Sequence, residues 1–153
     1  MPGHTMEMST ISHGLLHFVM SYTDLEKKAR CYETDVPIYN SEIHLISAIA
    51  QNPEIHIRGL AEKFGITSAS VSEMIKKMQK KGLVEKRVDK ENHSRIQITL
   101  TEKGKLAHRV HRRYHEELDQ MVEEELKEAS EETIEFLDLF LKNMTRRIEE
   151  FPF

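Results

Sequence analysis

The sequence is short of residues that break helices, form disulfides or fill membrane spans. It contains no Trp, one Cys, four Pro and six Gly in 153 residues. A single cysteine excludes an internal disulfide and suits a reducing compartment, so a cytoplasmic location is expected. No run is apolar enough to cross a bilayer, so no membrane association is expected. Few helix breakers and 31% charged residues together predict a mainly helical chain.

Signatures of catalysis are also missing. His115 and Glu116 begin like the His-Glu-x-x-His motif of zinc peptidases, but Asp119 stands at the closing position. The chain has no Gly-rich phosphate loop and no nucleophile elbow. The sequence therefore predicts a protein that is not an enzyme and has no catalytic residues.

What is present is a pattern of helix, turn, helix and ribbon between Ile55 and Gly104. Gly65 interrupts the first helical pattern, Thr67 offers an N-cap for the second, and Gly82 ends it. Two short alternating segments follow, separated by a polar loop. This order predicts a winged helix-turn-helix. Its apolar positions are Ile57, Leu60, Ala61 and Phe64, then Val71, Met74, Ile75 and Met78, then Leu83, Val84, Val88, Ile96, Ile98 and Leu100.

Positive charge is concentrated in the same part of the chain. From Ile55 to Arg113 there are 15 Lys and Arg against 6 Asp and Glu, a net charge of +9. The whole chain has 22 and 26, so the remainder has 7 and 20, a net charge of −13. A basic middle in an acidic protein predicts a surface for phosphate.

The outer face of the second helix has the residue types of a DNA recognition helix. Such helices place their N-terminal side chains at base edges, while lysines neutralise phosphates. An ordinary solvated helix with a serine-rich start would look the same if it stood alone. The candidate DNA-binding residues on this helix are Ser68, Ser70, Ser72, Glu73, Lys76 and Lys77.

Helices with one apolar stripe flank this central part. Residues 9–32 form the first, residues 101–129 the long second, and Ser130 offers an N-cap for the closing one. A lone chain would leave these stripes exposed to water, which predicts an obligate homodimer. The stripes comprise Ile11, Leu15, Phe18, Val19, Tyr22, Leu25 and Ala29 near the start, and Leu137, Phe140, Leu141, Met144 and Ile148 near the end.

The stretch GLAEKFGITSASVSEMIKKMQKKGLVEKR, followed by ITLTEKG, resembles the MarR family of bacterial and archaeal transcription regulators. The resemblance covers nearly the whole chain. It implies a mainly α fold with a small β-wing, in one domain over residues 1–153. A winged helix-turn-helix at 38–100 is then flanked by dimerisation helices at 9–32 and 101–150. It also implies a ligand-responsive repressor that binds a pseudo-palindromic operator in double-stranded DNA as a homodimer.

The wing departs from the family pattern. The family's wing usually carries Asp-x-Arg, and here Asn92 and Ser94 occupy those positions, with Arg95 one residue late. Neighbouring side chains are therefore expected to replace the usual minor-groove contact. The candidate DNA-binding residues of the ribbon are Arg87, Lys90, His93 and Arg95.

A histidine pair in the long helix suggests a metal. His111 and His115 are four residues apart, so both face one way, which suits two ligands of one transition metal. The resemblance extends to the zinc-responsive branch of the family, which adds His44 and, with one residue of slippage, Cys31. The implied ligand set for Zn²⁺ is thus Cys31, His44, His111 and His115. Solvent-facing histidines among arginines are the alternative.

Two further alternatives concern the effector and the function. The effector could be a small aromatic molecule, or oxidation of the Cys31 thiol, with Arg30 beside it in sequence. The protein could also be a non-enzymatic, dimeric metal-binding or architectural protein. It would then use its winged helix for nonspecific DNA contacts or for protein contacts.

Overall fold

The computed structural model describes residues 3–88 and 96–152, with side chains from residue 10 onward. Helices and one antiparallel ribbon make up these ranges, which confirms the predicted fold class. The chain forms two compact units, residues 1–112 and 113–153. The elements are α1 Gly3–Lys27, α2 Asn40–Gln51, α3 Ile57–Phe64, α4 Ser68–Lys80, β1 Val84–Val88, β2 Ile96–Leu100, α5 Glu102–Leu126 and α6 Glu131–Glu149.

The core of the first unit is built around α2. This helix is apolar on most of its surface, and five of its apolar side chains are buried. The inner faces of α3 and α4, both strands and the start of α5 close around it, as the helical and alternating spacings predicted. The buried side chains are Ile38, Ile43, Leu45, Ile46, Ala48, Ile49, Leu60, Ala61, Val71, Ile75, Met78, Leu83, Val84, Ile98 and Ala107.

The turns on either side of α4 form as predicted. Gly65 has a φ of 62° and Gly82 a φ of 70°, the left-handed conformation that favours glycine. Between them, the Oγ1 of Thr67 accepts a hydrogen bond from the Ser70 N–H at 3.1 Å and caps the helix. These turns set the direction in which α4 leaves α3.

The ribbon joins α5 through a compact junction. Val84 pairs with Leu100 at the base of the ribbon. The Thr101 hydroxyl donates to the Gly82 carbonyl at 2.6 Å and accepts from the Gly104 N–H at 3.1 Å. Gly104 is buried so close to the preceding turn that a Cβ there would lie 2.1 Å from the Leu83 carbonyl oxygen. The start of α5 is therefore held against the turn after α4.

The first helix ends earlier than the sequence predicted. It stops at Lys27, whereas helical spacing predicted a helix as far as Tyr32. A β-bridge between Arg30 and Ile38 folds the following segment back on itself, and Tyr32 has a φ of 45°. Lys103 on α5 adds an ion pair with Asp35 of this segment at 2.6 Å. These longer-range contacts override the local helical pattern.

Apolar stripes are exposed on α1 and on α6. No side chain of α6 is buried, although Ser130 caps it as predicted by accepting from the Thr133 N–H at 3.2 Å. None of the helices in the described ranges combines the length and apolarity needed to span a bilayer. Exposed apolar side chains include Ile11, Leu16, Phe18, Val19 and Met20 on α1, and Ile134, Phe136, Leu139, Leu141 and Ile148 on α6.

Candidate nucleic-acid interface and histidine pair

The α4 helix divides cleanly into a buried and a polar face. Val71, Ile75 and Met78 are fully buried on one side. On the other, five of the six predicted side chains are exposed, and Ser72 is half-buried. The structure therefore places the predicted set on one accessible surface. The exposed members are Ser68, Ser70, Glu73, Lys76 and Lys77.

Members of this surface differ in what they already contact. The Ser70 hydroxyl lies 2.8 Å from the Thr67 hydroxyl and belongs to the helix cap. Lys77 forms an exposed ion pair with Glu73 at 3.1 Å. Exposed pairs of this kind contribute little to stability and open readily. Lys77 can therefore still reach a phosphate by giving up Glu73.

The ribbon contributes one described candidate, Arg87 on β1. Its side chain is exposed and contacts Glu85. At the last described pair of the ribbon, Val88 and Ile96 are both exposed. The other predicted ribbon residues lie outside the described residues, and their roles stay predictions. They are Lys90, His93 and Arg95, together with Asn92 and Ser94.

Two of the four predicted metal ligands come together in the first unit. His44 on α2 is exposed and His111 on α5 is buried, and their ring centroids are 5.8 Å apart. The edge of Tyr32 also packs on His111, with ring centroids 5.7 Å apart. The structure thus brings together two imidazoles whose residues are 67 positions apart in the sequence.

The other two predicted ligands are Cys31 and His115. Cys31 is an exposed free thiol in the segment between α1 and α2. His115 belongs to the second unit, where its ring centroid lies 6.0 Å from that of Tyr114. Across the described residues, no group of three or more His, Cys, Asp or Glu side chains is arranged to hold a metal. Of the four predicted ligands, His44 and His111 are therefore the two that the described structure brings together for a metal.

A third histidine of α5, His108, lies one turn before His111 and packs against α2. The Nδ1 of His108 lies 3.3 Å from the Ser47 hydroxyl of α2. Burial lowers the pKa of His108, and the positive charge of Arg112 lowers it further. This imidazole is therefore neutral near pH 7 and available as a hydrogen-bonding group.

Sequence reasoning missed an ion pair between Lys81, at the end of α4, and the buried carboxylate of Glu42. The Lys81 ammonium lies 2.6 and 2.8 Å from the Glu42 carboxylate oxygens and donates to the Pro37 carbonyl at 2.8 Å. Glu42 also accepts from the Tyr39 N–H at 2.9 Å, and Lys81 lies 4.9 Å from the Tyr39 ring centroid. This ion pair fixes the end of α4 to the start of α2. It also occupies the only carboxylate buried in the described core.

Comparison with known families supports the interpretation of the central part. The model of the MarR family matches residues 38–93. The HTH-type transcriptional regulator YhjH of Bacillus subtilis is 27% identical over 107 residues, which cover 70% of this chain. The matched part spans 61% of the length of YhjH.

Two solved structures share the fold over almost the whole chain. FabT of Streptococcus pneumoniae, solved in complex with DNA, has a TM-score of 0.72 at 24% identity. It covers 94% of this chain and 98% of its own. ZitR of Lactococcus lactis, a zinc-responsive MarR family member, has a TM-score of 0.72 at 19% identity and covers 92% and 99%. At these identities, the two structures establish the fold.

Proposed function

Because this chain belongs to the MarR family of winged helix-turn-helix regulators, whose members are non-enzymatic, we propose that it is a transcriptional repressor acting on double-stranded DNA in the cytoplasm. The observation that carries the proposal is the polar face of α4, exposed opposite a fully buried apolar face. The net charge of +9 over residues 55–113 supports phosphate binding at this surface.

The proposed repressor acts as a homodimer. The exposed apolar stripes of α1 and α6 would leave a large apolar area in water if the chain stayed alone. A twofold dimer presents two α4 helices to half-sites about one DNA turn apart, roughly 34 Å. The matching DNA is therefore a pseudo-palindromic operator.

Replacing both Lys76 and Lys77 with Ala should weaken binding to every duplex and flatten its salt dependence. Removing the charge that neutralises one phosphate lowers the slope of log affinity against log salt by about one unit. Fluorescence anisotropy with a random-sequence duplex at two salt concentrations measures both quantities. Ser68→Ala should act mainly on a duplex selected from a random library, because N-terminal side chains of a recognition helix contact base edges.

Lys142→Ala is the matched control for this experiment. Lys142 lies on α6, 2.6 Å from Asp138, so its removal changes the net charge at a position outside α4. Its DNA affinity should equal that of the parent. Unchanged binding in the α4 variants would contradict the assignment of α4 to the groove. Selection that enriches no sequence would favour the architectural alternative.

A second candidate function is a response to zinc, which His44 and His111 support by lying side by side on α2 and α5. Zinc accepts imidazole ligands and would supply a link between these two helices. ZitR, which shares the fold, is zinc-responsive. Glu42 is engaged by Lys81, so it is not assigned as a ligand. Cys31 and His115 remain predicted ligands.

His44→Ala should weaken zinc binding by at least about tenfold, measured by competition with a chromophoric chelator. The exposed position of His44 makes this variant compatible with folding. Binding by the parent should also weaken as the pH falls, because histidine must be neutral to bind a metal. His56→Ala, another exposed histidine, is the control. Equal zinc affinity in the parent and in His44→Ala would contradict this site.

A further inference from the structure

The first helix carries a histidine pair of its own, His13 and His17, which the proposed function does not use. The two residues are four apart in α1, so their side chains leave the same face on successive turns, with Cβ atoms about 5–6 Å apart. Two histidines at this spacing on one helix can bind a single metal ion together. The pair is therefore a candidate chelating site built by one helix.

Both imidazoles of this pair are accessible and uncommitted. His13 and His17 are exposed. No hydrogen bond, ion pair or ring contact joins either of them to the part of the chain that the structure describes. His111, in contrast, is buried and packs against the rings of Tyr32 and His44. A metal ion at the pair in α1 would therefore displace no existing contact.

The pair also points away from the apolar stripe that a dimer would cover. Successive residues of an α-helix are about 100° apart, which puts His13 and His17 on the opposite side of α1 from Ile11, Leu15 and Phe18. A partner subunit packed on that stripe would leave the imidazoles open to water. The pair can therefore bind an ion in the dimer as well as in a single chain.

The charge around the pair favours a cation. Residues 10–23 contain no charged side chain, and the first Lys or Arg of the chain is Lys27. A metal ion at the pair would therefore meet no cation within the neighbouring turns. The histidines of α5 have a different setting, because that helix carries three arginines close to them, Arg109, Arg112 and Arg113.

The donor atoms select the class of ion. Imidazole nitrogens suit the later divalent ions of the first transition series, whose affinities rise through Ni²⁺ to Cu²⁺ and fall again at Zn²⁺. Ca²⁺ and Mg²⁺ require oxygen ligands and are excluded by a site made of two imidazoles. Two protein ligands leave the other coordination positions to water.

We propose that His13 and His17 bind one late first-row divalent cation, and that this ion joins two successive turns of α1. The turn between them contains Gly14, and glycine is a poor helix former. The imidazoles keep their spacing only while this turn is helical, so a bound ion opposes its unwinding. The inference does not depend on the DNA surface or on the pair formed by His44 and His111.

The test titrates Ni²⁺ calorimetrically into the untagged full chain. The parent should bind one Ni²⁺ per chain at this pair, and His13→Gln and His17→Gln should each weaken that binding by at least about tenfold, because the second ligand binds intramolecularly. His44→Ala should keep this ion. Loss of zinc binding in His44→Ala concerns the proposed zinc response alone, so the two sites can fail separately.

A relocated pair provides the matched control. His17→Gln combined with Ser21→His keeps the number of histidines but puts the two imidazoles eight residues apart, about 12 Å along the helix. This variant should bind Ni²⁺ no better than His17→Gln alone. Ni²⁺ binding as tight in His13→Gln or in His17→Gln as in the parent would overturn the proposal. Full affinity in the relocated pair would overturn it as well, because the spacing would then be irrelevant.

Urea unfolding tests whether the ion holds the helix. Ni²⁺ at one hundred times its dissociation constant should lower the equilibrium constant of unfolding about a hundredfold per chain in His44→Ala, where the other histidine pair is removed. The same Ni²⁺ should have a much smaller effect on the variant that combines His44→Ala with His13→Gln. An equal effect of Ni²⁺ on the two proteins would overturn the role of the pair in holding α1.

Discussion

Gly104→Ala should destabilise the protein by about 3 kcal/mol, even though alanine is the better helix former. The added Cβ would lie 2.1 Å from the Leu83 carbonyl oxygen, and that oxygen belongs to rigid backbone that already accepts from the Thr101 N–H at 3.1 Å. Relief requires α5 to move away from the turn after α4. Urea unfolding at fixed protein concentration measures the loss, and concentration must be fixed because a dimer is expected.

Gly14→Ala provides the matched control. Gly14 is also helical, in α1, but a Cβ there would meet nothing within 4 Å. Helix propensity alone should make that variant more stable by about 0.5–1 kcal/mol. The two substitutions are chemically identical and should change the free energy of unfolding in opposite directions. A Gly104→Ala protein as stable as the parent would show that the contact between α5 and Leu83 is not close.

Lys81→Met should cost about 3 kcal/mol, because it leaves the Glu42 carboxylate buried without its cation. The Glu42 side chain is 7% exposed and the Lys81 side chain 22% exposed, so water compensates the carboxylate poorly. Glu42→Gln should cost less, since the ammonium left behind can turn toward solvent. The free energy of unfolding of the two single variants and the double variant measures the coupling.

The double variant should be about as stable as Glu42→Gln alone, since removing the second charge then costs little. Lys77→Met is the control on the same helix, because its partner Glu73 is exposed and such pairs contribute about 0.3–0.5 kcal/mol. Additive losses in the double variant would contradict a direct interaction between Lys81 and Glu42.

The helix-turn-helix could be predicted from the sequence because its signals are local. Gly65 and Gly82 take left-handed conformations and Thr67 caps α4, as their positions indicated. The predicted end of α1 was wrong because the signal that ends the helix is not in the helical pattern itself. The bridge from Arg30 to Ile38 depends on residues far from the helical pattern.

The candidate sites could be predicted only in part, for a related reason. Helical spacing put His111 and His115 on one face of one helix, whereas only a family resemblance brought His44 to His111. The ion pair of Lys81 joins residues 39 positions apart. Periodicity within one element carries no information about such distant neighbours.

The junction at the base of the wing has a consequence for how the sequence of the wing can evolve. The base of the wing is closed by hydrogen bonds and close packing among Gly82, Leu83, Thr101 and Gly104. These residues lie beside the Val84–Leu100 pair, where the two strands begin and end. None of these contacts involves residues 89–95. We therefore expect substitutions at 89–95 to leave these contacts in place and to change the free energy of unfolding by less than about 0.5 kcal/mol. Under the proposed function, changes of operator preference can therefore accumulate in this segment, where Asn92 and Ser94 already differ from the wing pattern of the MarR family.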